Sequence, residues 1–200
     1  MGAIDHSLLL RRHRITADEY QRLGEAGVLA PEARVELIDG EVIDTAPIGS
    51  RHWSVVNRLH RLLQRAVGDT ALVSSQSSLR LGSHSEPQPD LALFEPRADF
   101  YLGALPTAAQ TLLIVEVADS TARYDREIKL PLYARHGIGE LWIVDLEAAL
   151  FRVYRQPEGE RYREASETPT PGLVDIAALP GSSVDLSTLL HHATDPPRPI

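Results

Sequence analysis

Three residues stand where a folded chain tolerates them only for a reason. Glu116 interrupts the apolar run TLLIVEVA. An ionised carboxylate among Ile114, Val115 and Val117 is costly unless it is paired or binds a cation. Asp90 follows Gln88-Pro89 and opens a second apolar stretch, LALF. Lys129 is the single lysine among 20 lysine and arginine residues. Where arginine serves everywhere else, a retained lysine marks a place for a compact ammonium whose proton affinity shifts on burial. Two strand carboxylates and a lysine suit metal-assisted hydrolysis of a phosphodiester. Carboxylate oxygens bind Mg²⁺ or Mn²⁺, and the ion polarises the phosphate. The lysine orients the attacking water or neutralises charge developing in the transition state. Each residue also has a plainer reading. Glu116 could form a structural ion pair with an arginine, Asp90 could be a turn residue, and Lys129 could pair weakly with Asp125 one helical turn away. Their order is the more specific signal: Pro-Asp at one strand, Glu in the next, Lys on the helix after it.

The elements that must position these groups are legible in the periodicity. TLLIVEVA and ELWIVDL are nearly continuous apolar runs, the pattern of central strands covered on both faces. Strand alternation puts Glu116 with Ile114 and Ala118, opposite Val115 and Val117. ARYDREIKLPLYARHG has a helical pattern that Pro131 should kink or start late and Gly137 should close. SRHWSVVNRLHRLLQRAV, residues 50–67, is the best amphipathic helix, with Val55, Leu59, Leu62 and Ala66 on one face and Val56 and Leu63 beside it. ITADEYQRLGEAG is a short helix with a Thr16/Glu19 capping box. RVELIDGEVID is a hairpin about Asp39-Gly40, and a second hairpin is expected about Pro157-Glu158-Gly159. ALVSSQSSLRL and QPDLALFEP read as strands, and VDLSTLLHH as a final short helix. The expected architecture is α/β, or α+β in the broader sense: a mixed sheet flanked by helices in one domain over 15–190. Residues 1–14 read as a flexible arm and 191–200 as a tail.

Composition narrows the classes. The chain has 200 residues, 43% hydrophobic and 24% charged, which is the profile of a globular protein. It has no cysteine, which excludes a disulfide framework, a thiolate nucleophile, a zinc ribbon and an iron–sulfur cluster. No apolar run approaches the roughly 20 residues of a membrane span, and MGAIDHSLLLRRHR lacks the order of a secretory leader. A cytoplasmic protein with no membrane partner and no organic cofactor is expected. The net charge of −8 argues against a simple electrostatic coat on DNA. It leaves room for an enzyme with a local basic patch.

These stretches resemble a known family. RVELIDGEV, GSRHWSVVNRLHRLL, QPDLALF and LLIVEVADSTARYDREIKLPLYARHGIGELWIVDLE are similar to the Uma-type restriction endonucleases, formerly described as a domain of unknown function, within the PD-(D/E)XK nuclease fold. The resemblance spans about residues 15 to 190. It makes Asp90 the motif's aspartate and Glu116 its second carboxylate. The position two after Glu116, where the motif usually has lysine, is Ala118. In this family the lysine is taken to have moved to the following helix, and Lys129 matches that place. Glu36, in the first hairpin, matches a further acidic position that completes the metal site. The resemblance implies a restriction-endonuclease-like core, a Mg²⁺- or Mn²⁺-dependent nuclease acting on DNA, and a homodimer.

A nucleic-acid face is also visible. No acidic residue occurs from Thr45 to Gly68, and Arg51, Arg58, Arg61 and Arg65 fall within an arc of ~80° on a helical wheel. His52 and Trp53 begin the same helix. A solvated face or a dimer contact would give the same stripe. Two other readings of the whole chain stay open: a nuclease fold that binds nucleic acid or protein without cutting, and a dimeric scaffold in which Glu116 and Lys129 form a buried ion pair.

Overall fold

The computed structural model describes residues 12–30, 32–119 and 121–190. The tail at 191–200, and with it the His191-His192 pair, lies outside them, as does the arm up to residue 11. Arg14, at the end of the arm, is held in place: its Nε donates to the Asp39 carbonyl at 2.7 Å.

Helix α1 (Ala17–Glu25) starts at Thr16, with both halves of the capping box formed. Strands β1 (Val35–Ile38) and β2 (Glu41–Asp44) pair antiparallel. They turn at Asp39 and Gly40, whose φ angles of 53° and 81° are those of the tight turn that Asp-Gly favours. Helix α2 (Ser50–Val67) follows. Its Leu59 and Leu63 are fully buried, each contributing about 1.5–3 kcal/mol of hydrophobic stabilisation.

The main sheet has six strands in the order β3-β4-β5-β6-β7-β8: β3 (Leu72–Ser75), β4 (Leu91–Phe94), β5 (Thr111–Ala118), β6 (Glu140–Asp145), β7 (Leu150–Glu158) and β8 (Arg161–Thr168). Only β5 and β6 run parallel. Between them the chain crosses through α3 (Ala122–Tyr124), a π turn (Asp125–Lys129) and α4 (Leu130–Arg135). One face of the sheet packs on α2 through Leu93, Val115, Val117 and Trp142. The other packs Ile114, Leu141 and Ile143 against Leu132 and Tyr133 of α4. The expected alternation along β5 therefore holds, and Glu116 faces the α4 side.

Three expectations are corrected. The second hairpin turns at Gly159-Glu160, because Pro157 and Glu158 still pair with Tyr162 and Arg161. Pro157 is tolerated two residues from the hairpin end, where losing one amide costs little. The final helix does not form among the described residues. Instead β9 (Leu173–Asp175) and β10 (Ser183–Asp185) make a small antiparallel ribbon, with Val184, Leu186, Leu189 and Leu190 turned into the α2-side core. Burial of those apolar residues outweighs a weak helical pattern. The strand read from ALVSSQSSLRL stops at Ser75, where Gln76 takes φ 48°.

Candidate active site

Each acidic residue is delivered by a different element. On β1, Val35 and Leu37 pack against Ala17 and Tyr20 of α1, so alternation turns Glu36 the other way. The hairpin is fastened by reciprocal backbone hydrogen bonds between Leu37 and Glu86. Asp90 immediately precedes β4. Leu91 pairs with Val115, which brings Asp90 beside Glu116. Lys129 ends the π turn. Pro131 has no amide to donate, and its ring crowds the carbonyl of Glu127, so the helix expected to kink there widens just ahead of it. Such π turns are rare and concentrate at functional sites.

The lysine bridges two of the carboxylates. Its Nζ lies 3.1 Å from Glu36 Oε1 and 3.1 Å from Glu116 Oε1. The weak surface pair with Asp125 is not what forms. Asp125 is itself buried and accepts from the Thr121 hydroxyl at 2.9 Å. Nor, among the described residues, does Glu116 pair with an arginine.

All three carboxylates share one pattern: the protein holds one oxygen and largely leaves the other. Glu36 Oε1 accepts from Lys129 and from the Gln88 amide at 2.9 Å, while its buried Oε2 has no partner. Asp90 Oδ2 sits 2.9 Å from the Val117 amide and 3.0 Å from His52 Nε2, while Oδ1 has only Gln76 at 3.4 Å. Glu116 Oε1 accepts from Lys129 and, at 2.6 Å, from the Tyr133 hydroxyl, while Oε2 has only the Asp90 amide at 3.4 Å. These residues line one cleft of about 420 Å³, together with Asp125, Tyr124 and Arg34. Among the described residues the buried side-chain polar atoms without a partner are Glu36 Oε2, His52 Nδ1 and Tyr124 OH, and all three residues line this cleft.

In donor chemistry the residues suit a hard divalent cation. The donors are all oxygens, and the carboxylates that line the cleft outnumber Lys129 and Arg34, its two permanently cationic side chains. Among the described residues, no three donors already stand together in ligand geometry; the ammonium holds Glu36 and Glu116 through their inner oxygens.

Electrostatics follow from this crowding. Burial, and the charges of Asp125, Asp90 and Glu36, push Glu116 up to about 8 against the opposing pull of Lys129. Burial likewise raises Asp125 to about 6. Burial disfavours the Lys129 ammonium, but Glu116 and Glu36 outweigh it and hold the ammonium protonated well past its ordinary range. Burial also opposes the charged form of His52, but the hydrogen bond and charge of Asp90 raise it overall.

A carboxyl raised on folding favours the folded state while protonated and loses that advantage as pH climbs through the folded value. For Asp125 that window runs from 3.8 to about 6 and for Glu116 from 4.5 to about 8. The melting temperature in EDTA is therefore expected to fall between pH 5 and about 8. A divalent ion seated on these carboxylates would restore it most at the alkaline end, where they are ionised. Scanning calorimetry across this range checks both signs. A metal-free melting temperature that rises with pH would contradict the arrangement.

The sequence did not single out Tyr133, Tyr124 or Arg34. Tyr133 lies four residues after Lys129, the one available signal that it shares the lysine's face. Removing its hydroxyl in Tyr133→Phe is expected to weaken Mn²⁺ binding by about 10-fold or more, as for other groups that orient a ligand. Titration calorimetry measures this; unchanged affinity would show that Glu116 needs no such support. The arginines of α2 divide. Arg51 pairs with Asp119 at 3.2 Å, Arg58 donates to the Thr188 carbonyl at 3.4 Å, and Arg61 and Arg65 are exposed. None of the four lines the cleft, whereas His52 does.

A mixed sheet flanked by helices, with acidic residues and a lysine gathered on adjoining elements at one cleft, defines a protein of the restriction-endonuclease-like fold. The chain belongs to the Uma2 family, described as "Putative restriction endonuclease", whose model matches residues 17–187. It is also similar to the crystal structure of a putative nuclease belonging to DUF820 from Anabaena variabilis. That match has a TM-score of 0.68 and 19% identity, and covers 90% of this chain and 99% of the other. No curated protein matches the chain. Among the described residues no helix is long and apolar enough to cross a membrane.

Proposed function

We propose that the chain is a divalent-metal-dependent endonuclease that hydrolyses DNA phosphodiester bonds. The observation that supports this most is that Glu36, Asp90 and Glu116 each present one weakly engaged or unpartnered oxygen in the same cleft, beside the one lysine of the chain. Asp90 and Glu116 would hold Mg²⁺ or Mn²⁺, with Glu36 in support. Such an ion, when bound, withdraws charge from the phosphate and acidifies a coordinated water.

The chain's own groups do the rest. His52 and the Val117 amide fix the Asp90 carboxylate, and Tyr133 fixes that of Glu116. Lys129 stays protonated and offers its ammonium to the attacking water or to the charge that builds up on the phosphate oxygens. Arg58, Arg61 and Arg65 give α2 a basic outer face toward which DNA can be drawn. A plasmid-nicking assay with Mg²⁺, Mn²⁺ or EDTA tests the reading. Nicking by wild type that EDTA suppresses is expected, and its absence with both ions would refute the nuclease assignment. The homodimer that the resemblance implies is checked by light scattering on the same preparation.

One observation favours a second reading, the structural scaffold: Lys129 does form buried ion pairs with Glu116 and Glu36. In that case the pair serves stability alone, and neither metal ion binds at millimolar concentration.

A further inference from the structure

An acidic cleft is a poor place to bring a phosphodiester unless something in it binds anions. Three cationic or potentially cationic side chains line it: Lys129, His52 and Arg34. The first is already paired with Glu36 and Glu116, and the second is engaged with Asp90. Arg34 differs. It stands two residues before Glu36, so alternation places it on the same side of the hairpin. Its carbonyl accepts from the Thr45 amide at 2.8 Å and the Thr45 hydroxyl at 3.2 Å, which anchors the base of the side chain. One amino group donates to the Ala46 carbonyl at 3.0 Å. Among the described residues the guanidinium forms no ion pair, and it is exposed in the cleft. The hydroxyl of Tyr124 is a second, independent donor: buried, lining the cleft and without a partner. Burial pushes it up to about 12, so it keeps its proton.

We propose that Arg34 and Tyr124 seat the backbone phosphates of the polynucleotide beside the carboxylates. This rests on the nuclease reading and names the residues that recognise its substrate. A guanidinium supplies charge and a planar fork matched to phosphate oxygens, and a phenol supplies a neutral donor. The two contributions are therefore separable.

The test is the anisotropy of a fluorescein-labelled DNA duplex, and of its single strand, against salt concentration. Wild type, Arg34→Ala, Arg34→Lys and Tyr124→Phe are compared in EDTA and again with Ca²⁺. Arg34→Ala is expected to weaken duplex binding about tenfold. It should also make the slope of log K against log salt shallower by about 0.9, one released counterion. Arg34→Lys should keep the slope while losing part of the affinity. Tyr124→Phe should lose roughly threefold in affinity with the slope unchanged. Circular dichroism confirms that each variant is folded. DNA bound by Arg34→Ala with wild-type affinity and slope overturns the subsite and leaves the nuclease reading standing. DNA bound by no form under either condition overturns both.

Discussion

Asp90→Ala and Glu116→Ala are each expected to abolish metal-dependent cleavage while leaving the chain folded. On the proposed reading each substitution removes one of the two carboxylates that would hold the ion. A loss of about 10³-fold or more, close to 4 kcal/mol of transition-state stabilisation, is expected. The structural cost is smaller. Asp90→Ala releases the Val117 amide and His52, each a single hydrogen bond, which costs about 1–2 kcal/mol. Glu116→Ala relieves repulsion among crowded carboxylates, which partly offsets the loss of its bonds to Lys129 and Tyr133. Calorimetric titration with Mn²⁺ and plasmid nicking on the same samples check the prediction. Nicking at the wild-type rate by either variant would refute the assignment. Metal affinity that survives both substitutions would place the ion elsewhere.

Lys129→Ala should have the largest effect on stability. It leaves Glu36 and Glu116 buried with no cation between them, a situation that costs about 3–5 kcal/mol. The cost depends on pH. At pH 5 Glu116 takes up a proton and relieves most of it; at about pH 9 less of that relief remains, although losing the pull of Lys129 raises Glu116 beyond its wild-type value of about 8. Urea denaturation at the two pH values checks both the size and the sign of this difference. Lys129→Arg is the companion test. It keeps the charge, so the fold should survive, but a rigid planar fork does not replace a compact ammonium packed near buried Tyr133. Its nicking activity should fall sharply. Full activity in Lys129→Arg would sink the argument from the lone lysine. A destabilised Lys129→Ala, combined with no metal binding by wild type, would favour the scaffold reading.

Much of the site could be read from local patterns. Glu116 was conspicuous because a carboxylate in a run of β-branched and aliphatic residues violates the rule for a doubly covered strand. Lys129 was conspicuous by composition. Asp90 needed the order of all three, and Glu36 needed the family resemblance, since a glutamate in VELIDGEV alternates as any hairpin glutamate would. The boundaries of α1, α2 and the first hairpin were equally legible, because a capping box, an amphipathic stripe and Asp-Gly act over a few residues.

The chain by itself determined which groups are present, which strands are central and which way Glu116 points along its strand, because periodicity and burial cost are properties of neighbours in sequence. Only the tertiary structure decided that Lys129 joins Glu36 rather than Asp125, a contact between residues 93 positions apart. It also decided that His52 braces Asp90, that the helix widens ahead of Pro131, and that the C-terminal leucines enter the core without a helix. Those outcomes depend on how the sheet, the hairpin and the crossover pack together. Desolvation in the closed cleft then sets the charge of every group at once, and no local pattern encodes that balance.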